Sequence, residues 1–328
     1  MHDGKYGWHK MSDERCAMSR YVLRAKLFLG LYLFSFGLAY GGGIQAAETS
    51  LPEQLTYKIS YQGIFSGFIH LDIARADLRV AEGTVNVSGR VAKVATLKVT
   101  TEPYRKAEVL FPVRYQYRSW YEPDGENALL VTESLQVDEN SDEMIWFDRD
   151  EGVGHRYEVK AAATGGGKRP PLELLRKFAD LQVWPAVLEE SHQQGIGSGE
   201  MFDHFSMMQR LRVLDLQPGQ VLDLPVFTGK QLKNYRVVVT SESIEGKTEE
   251  SALLKLQIFS YDAAENDAGQ KTYIWLSADD RRVPLRFYAE RAFGYLEAVL
   301  ESGESGGESR GGFTPATNAF EQLDAFYF

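Results

Sequence analysis

From residue 50 onward the chain alternates apolar and polar residues with a period of two, and this more than anything restricts what it can fold into. Tyr57, Ile59 and Tyr61 are separated by Lys58 and Ser60, and Ile69, Leu71 and Ile73 by His70 and Asp72. Such alternation belongs to strands with one face in a core. The segment Gly63-Ile64-Phe65-Ser66-Gly67 between the two runs supplies the turn of a hairpin. Further runs of this kind occupy 83 to 91, 94 to 101, 113 to 121, 128 to 137 and 143 to 148, and then 221 to 227, 231 to 240, 251 to 260, 271 to 277, 283 to 290 and 294 to 301. The Ala278-to-Arg282 stretch reads as the loop of a hairpin that joins Tyr273-Ile274-Trp275-Leu276 to Val283, Leu285, Phe287 and Ala289. The pattern predicts a mainly β protein, a curved antiparallel sheet or partly open β-barrel with a few short helices packed at one side.

Helical signals are confined to the middle. Pro170-Pro171 opens LELLRKF, and a second start is placed at Pro185 within WPAVLEESH. Asp203 caps a short helix in DHFSMMQRLR, with Phe205, Met208 and Arg212 on one side and Met207 and Leu211 beside them. Residues 161 to 168, AAATGGGK, form a glycine-rich loop. It is no phosphate cradle, because Arg169 stands where a P-loop needs Ser or Thr.

The front of the chain has the order of a signal peptide. A basic stretch (Arg20 to Lys26) precedes an apolar run of 14 residues (27 to 40), then three glycines and Ile44-Gln45-Ala46-Ala47. The run is short for a membrane-spanning helix, which needs about 20 apolar residues. Cleavage is expected after Ala46 or Ala47, and residues 1–17 read either as an over-extended start ahead of Met18 or as an unusually long basic region. The lone cysteine, Cys16, lies ahead of the apolar run and would leave with the leader. A mature chain without thiols forms no disulfide and carries no lipidated cysteine. The expected location is the periplasm, with no stable transmembrane span in the mature chain.

The expected organisation is a leader at 1–46, an N-terminal β half at 47–160, a loop and helical insertion at 161–212, and a C-terminal β half of the same domain at 213–301. Residues 302–328 are expected as a Gly/Ser/Glu-rich linker and an aromatic tail ending AFEQLDAFYF.

Charge narrows the partners. The whole chain carries −10, but residues 1 to 46 hold six bases and three acids, which leaves 30 bases against 43 acids in the rest. A body so acidic argues against nucleic acid and against an anionic headgroup surface as the main partner. No catalytic motif is found. His70, His155, His192 and His204 show no paired metal-ligand spacing, so neither a metal site nor a cofactor is expected. Neither Gly63-Ile64-Phe65-Ser66-Gly67 nor Gly197-Ser198-Gly199 fits a serine nucleophile elbow. The candidate polar site is Asp203, His204, Asp279 and Asp280, and the candidate cavity lining is Trp275, Phe287 and Tyr295.

The chain resembles a family known as domain of unknown function 3108, found in exported proteins of Gram-negative bacteria. The resemblance rests on Tyr57, Tyr61, Gly63 and Gly67; the helix from Asp203 to Arg210; and Pro218-Gly219-Gln220 leading to Thr228-Gly229-Lys230 and Tyr235. It is completed by Ile274-Trp275-Leu276-Ser277-Ala278-Asp279-Asp280-Arg281-Arg282-Val283-Pro284 and Gly294. Together these cover roughly residues 54 to 301. The resemblance implies an extracytoplasmic β-rich fold and carries no catalytic residues. The first expectation for function is therefore a non-enzymatic binding, carrier or envelope-maintenance factor that shelters an apolar ligand. An interaction scaffold that recruits an envelope protein through edge strands or the aromatic tail is the second. An envelope-polymer hydrolase is the third, and it requires Asp203, Asp279 and Asp280 to meet in one cleft.

Overall fold

The structure is a computed structural model that describes residues 53–87, 89–123, 125, 127–136, 140–159, 188–242, 253–260, 271–291 and 293–305. The expected leader, the loop at 161–168, the helical start at Pro170 and the tail beyond 305 lie outside the described residues.

The chain forms a 15-stranded antiparallel sheet. In order the strands are β1 (Glu53–Gly63), β2 (Leu71–Val80), β3 (Val85–Val87), β4 (Arg90–Thr100), β5 (Arg114–Tyr121), β6 (Ala128–Gln136), β7 (Asn140–Asp148) and β8 (Val153–Val159). They continue with β9 (Leu188–Gly195), β10 (Val221–Phe227), β11 (Leu232–Glu242), β12 (Leu253–Ser260), β13 (Thr272–Leu276), β14 (Pro284–Arg291) and β15 (Gly294–Ser305). Helix α1 spans Arg105–Leu110 and α2 spans His204–Val213.

Across the sheet the order is β10-β11-β12-β13-β14-β15-β1-β2-β4-β5-β6-β7-β8-β9, with β3 paired to β4 alone. The first and last strands of the chain therefore meet in the middle, where β1 pairs with β15 from Glu53↔Ser305 to Gly63↔Gly294. The two edges, β9 and β10, share no ladder, so the sheet is rolled but open. Between them Met201 bridges Asn127, and Phe202 bridges Val226.

One face carries the main core. Tyr57, Leu78, Leu97, Val131, Phe147, Leu224, Val237, Leu256 and Phe287 from strands across the sheet join Phe205, Met208 and Leu211 of α2 in one buried cluster. Burial of that size supplies the drive that a chain without disulfides needs. A smaller cluster with Trp120, Leu130, Met144, Trp146 and Tyr157 covers part of the opposite face, under the β3 hairpin.

Three local expectations are corrected. The run at 83 to 91 is two strands, because Asn86 Oδ1 accepts from Gly89 N at 2.8 Å and folds the chain into a tight hairpin. The helix expected from Pro185 gives way over 188–192 to β9, whose LEESHQQG sequence pairs with β8; neighbouring strands override weak local helical preference. Finally, β15 continues past Glu301 to Ser305 alongside β1, into what reads as linker.

Close packing of the roll is tested at Gly154. A Cβ there would stand 2.4 Å from Cε1 of the fully buried Phe227. Gly154→Ala is expected to cost about 1–3 kcal/mol through overpacking, read as a lower urea midpoint. An unchanged midpoint would mean that β8 and β10 are not in contact there.

Candidate functional site

Four groups of residues on this frame have chemistry beyond packing. The first is the start of α2. Asp203 is 1% exposed. Its Oδ1 accepts from the amides of Phe205 (2.5 Å) and Ser206 (3.1 Å), and Ser206 Oγ accepts from the Asp203 amide at 3.0 Å. This is a capping box. The same carboxylate reaches into the sheet, taking the Tyr117 hydroxyl at 3.2 Å and the Ser119 hydroxyl at 2.5 Å. Burial raises its pKa, while the donors from Ser119, Phe205, Ser206 and Tyr117 pull it back down. Asp203 thus fastens α2 to β5. Next to it, buried His204 is pushed down to about 3 by burial and by the charge of Lys233, so it is neutral at physiological pH.

The second group is an acidic row on the same inner face. Glu133, Glu143 and Glu158 stand directly opposite one another across β6, β7 and β8. Like charges so placed repel. Arg156 relieves part of the row: its Nε donates to Glu143 at 2.9 Å and its Nη1 to Glu158 at 3.4 Å. Glu133 has no such bond among those described, and its pKa is pushed up to about 7, first by burial and then by the charge of Glu143. A raised acid pKa stabilises the fold fully below the unfolded value near 4.5 and loses that contribution as pH rises through about 7. Glu133→Gln is therefore expected to be more stable than the parent by about 2 kcal/mol at pH 8, and nearly equal to it at pH 5. Urea titrations at the two pH values check this; the same difference at both would refute it. Among the described residues no group of three or more His, Cys, Asp or Glu is placed to hold a metal ion.

The third group contains most of the residues singled out from the sequence. Register places Ile274 opposite Phe287, but Trp275 opposite Arg286 and Tyr295 opposite Glu290. Phe287 therefore faces inward, packed edge-on against Tyr57 at 5.6 Å, while register sets Trp275 and Tyr295 on the other face, with Trp275 only 5% exposed and packed with the main core cluster. Trp275 lies between Lys255 Nζ and Arg286 Cζ, each 5.0 Å from the ring, and its Nε1 donates to Glu242 at 3.0 Å. Tyr295 stacks obliquely on Tyr288 at 5.1 Å. The three aromatics do not line one space, because strand neighbours alternate faces.

Asp279 and Asp280 are exposed in the β13–β14 turn, where Asp279 accepts from Ser277 Oγ and Arg281. Arg212, near the far end of α2 from Asp203, donates to the carbonyls of Arg281 and Arg282 in this turn. The two halves of the expected polar site are thus held at opposite ends of a helix of 10 residues, about 15 Å long.

The fourth group went unrecognised in the sequence beyond its glycines. At the β1–β2 turn Ile64, Phe65, Phe68 and Ile69 are 60, 51, 67 and 69% exposed. They are not on a loose loop. The Ile64 amide donates to Phe293 O at 3.0 Å and the Phe68 amide to Gly63 O at 2.8 Å. Phe65 also packs in a ring trio with Tyr61 and Phe293 at 6.1 to 6.4 Å. Exposed apolar residues scattered singly need no explanation, but four on one hydrogen-bonded turn form a patch that calls for one.

Together these features define an open, rolled antiparallel β protein with a helix fastened to its inner face. Residues 193–301 match the family model described as "Protein of unknown function (DUF3108)". The match takes in the Asp203 helix, the Pro218–Gln220 turn and the Ile274–Pro284 motif, and supports the resemblance there; the opening strand pair with Tyr57 and Gly63 lies outside it. Among solved structures the chain is similar to a crystal structure described as a beta-barrel-like protein of domain of unknown function DUF1849 from Brucella abortus. That similarity has 10% identity and a TM-score of 0.48, and it covers 79% of this chain and 99% of that one. No curated protein matches the chain. No helix among the described residues is long and apolar enough to cross a membrane.

Proposed function

We propose that the protein is a non-enzymatic binding protein of the periplasm that works through its surface, engaging the cell envelope with the apolar turn between β1 and β2. The observation that carries this reading is the set of four large apolar side chains held in water on a hydrogen-bonded tip. Hydrating them costs free energy that a partner would recover. The leader-like order of residues 20 to 47 supports export. Two polar groups of the interior have structural employment: Asp203 holds α2 to β5, and Arg156 neutralises Glu143 and Glu158.

An interior carrier site is less favoured than a surface one. Phe205, Met207, Met208 and Leu211 of α2 are buried in the core cluster, where an apolar ligand would have to lie. Fractionation of expressing cells tests the proposal. The parent is expected with the envelope, and the double variant Phe65→Asp/Phe68→Asp is expected in the soluble fraction while still folded, its lost ring contacts with Tyr61 and Phe293 costing about 1–2 kcal/mol. Unchanged partition would refute it.

A further inference from the structure

The surface reading leaves the partner's chemistry open, and the same end of the sheet supplies it. Strand register places the β1–β2 turn, the β4–β5 connection and the β14–β15 connection at one end, and Glu53 and Ser305 at the other. At the first end α1, in the β4–β5 connection, exposes Val109 by 76% and Leu110 by 65%. Two apolar projections therefore share that end.

Charge around them is biased. Glu102 and Glu108 are both held by Arg114, and Asp72 is within ion-pair distance of Lys58 and His70. Arg105 and Lys106, exposed at the start of α1, make no ion pair among the described residues. The body is acidic as a whole, which taken alone argues against an anionic surface, but the segment from 101 to 114 holds three bases (Arg105, Lys106, Arg114) against two acids (Glu102, Glu108), a local excess of one positive charge beside the exposed apolar side chains.

The backbone of the tip is prepared to leave water. The Gly63 amide donates to Ser66 Oγ and the Phe65 amide to the Tyr61 hydroxyl. The amides of Ile64, Gly67, Phe68 and Ile69 donate to carbonyls of Phe293, Ile64, Gly63 and Ser66. An ordinary exposed turn gives such amides to solvent. In a lipid interface each unpaired amide would be costly, and here these six are already satisfied. Phe68 adds a further sign, since its φ of 63° is left-handed and costs a non-glycine residue about 1–2 kcal/mol. The conformation holds a bulky ring in solvent where a small polar residue would be cheaper on both counts.

We infer that this end of the protein docks on an anionic lipid bilayer, with Phe65 and Phe68 entering the boundary between headgroups and acyl chains and Arg105 and Lys106 set against the headgroups. The inference rests on the proposed surface function and gives it a partner. A convex tip fits a fluid interface, which closes around it, better than it fits a preformed protein pocket. Aromatic and aliphatic groups flanked by cations are the composition that such interfaces retain.

The test uses two single-cysteine forms of the chain from Glu48 onward, which has no other thiol, each labelled with an environment-sensitive nitrobenzoxadiazole dye. Ile69→Cys reports on the tip, and Ala278→Cys, exposed in the β13–β14 turn that Arg212 ties to Glu53, reports on the opposite end. With vesicles of equal phosphatidylcholine and phosphatidylglycerol, dye emission at 69 is expected to rise about twofold or more. Emission at 278 should stay flat, and pure phosphatidylcholine should give little change at either site. Phe65→Asp with Phe68→Asp should abolish the rise, and Arg105→Glu with Lys106→Glu should weaken vesicle affinity about tenfold or more. The inference is overturned by silence at 69, by an equal response to pure phosphatidylcholine, or by a response at 278 in place of 69, which would move binding to the opposite end. If 69 is silent while the tip variant still leaves the envelope fraction, the partner is a protein: the lipid inference falls and the surface function stands.

Discussion

Glu53→Leu is expected to lower the unfolding free energy by about 3–5 kcal/mol, because it strands a buried guanidinium. Glu53 and Arg212 are each about 10% exposed and form a two-armed pair, Nη1 to Oε2 at 2.6 Å and Nη2 to Oε1 at 2.7 Å. Burial works against the Arg212 charge, but the charge and hydrogen bonds of Glu53 more than offset it and raise the pKa. The pair ties the first residue of β1 to the last turn of α2, and through Arg212 to the carbonyls of Arg281 and Arg282. Removing both charges should do less harm than removing one. The double variant Glu53→Leu/Arg212→Met is expected to regain at least half of the loss. Urea unfolding of the three proteins closes the cycle, and a single-variant loss below about 1 kcal/mol would show the pair to be solvated like a surface bridge.

The second large effect is expected at Asp203. Loss of an N-cap side chain costs about 1–2 kcal/mol, and the alanine variant also leaves the buried Ser119 and Tyr117 hydroxyls without their acceptor, at about 1–3 kcal/mol more. Asp203→Ala should therefore lose about 3 kcal/mol. Asp203→Asn keeps an acceptor for the Phe205 and Ser206 amides and carries no buried charge, so a smaller loss of about 1 kcal/mol is expected. Near-ultraviolet circular dichroism gives a second reading, since release of α2 would free Phe205 from its contact with Tyr121 at 5.9 Å. Equal stability of the parent and Asp203→Ala would mean that α2 is held by packing alone.

Much of this frame is legible in the residues themselves. The Asp203-x-x-Ser206 start, with Phe205, Met208 and Leu211 behind it, marks α2 because a cap and a helical spacing are local signals. The β13–β14 hairpin is equally plain, its loop hydrogen-bonded from Ser277 to Val283 as charge and turn residues suggest.

What stays hidden depends on distant partners. The β9 sequence LEESHQQG has nothing of a strand about it until β8 lies alongside. Glu53 and Arg212 are 159 residues apart, and neither announces the other. Trp275 and Tyr295 look like cavity aromatics in one dimension, yet their faces follow from register, which a bulge between Trp275 and Leu276 shifts. The β1–β2 turn was visible through its glycines, but exposure of Phe65 and Phe68 is a property of the folded surface, and hydrophobic residues at a turn read equally well as core.

Site-specific photocrosslinking in living cells bears most directly on the central claim. With p-benzoylphenylalanine replacing Phe65, irradiation is expected to join the protein to an envelope component, while the same group at Tyr117 on the inner face should yield only bonds within the chain. Crosslinks to another molecule from position 117, with none from position 65, would move the working surface from the rim to the interior and contradict the function proposed here.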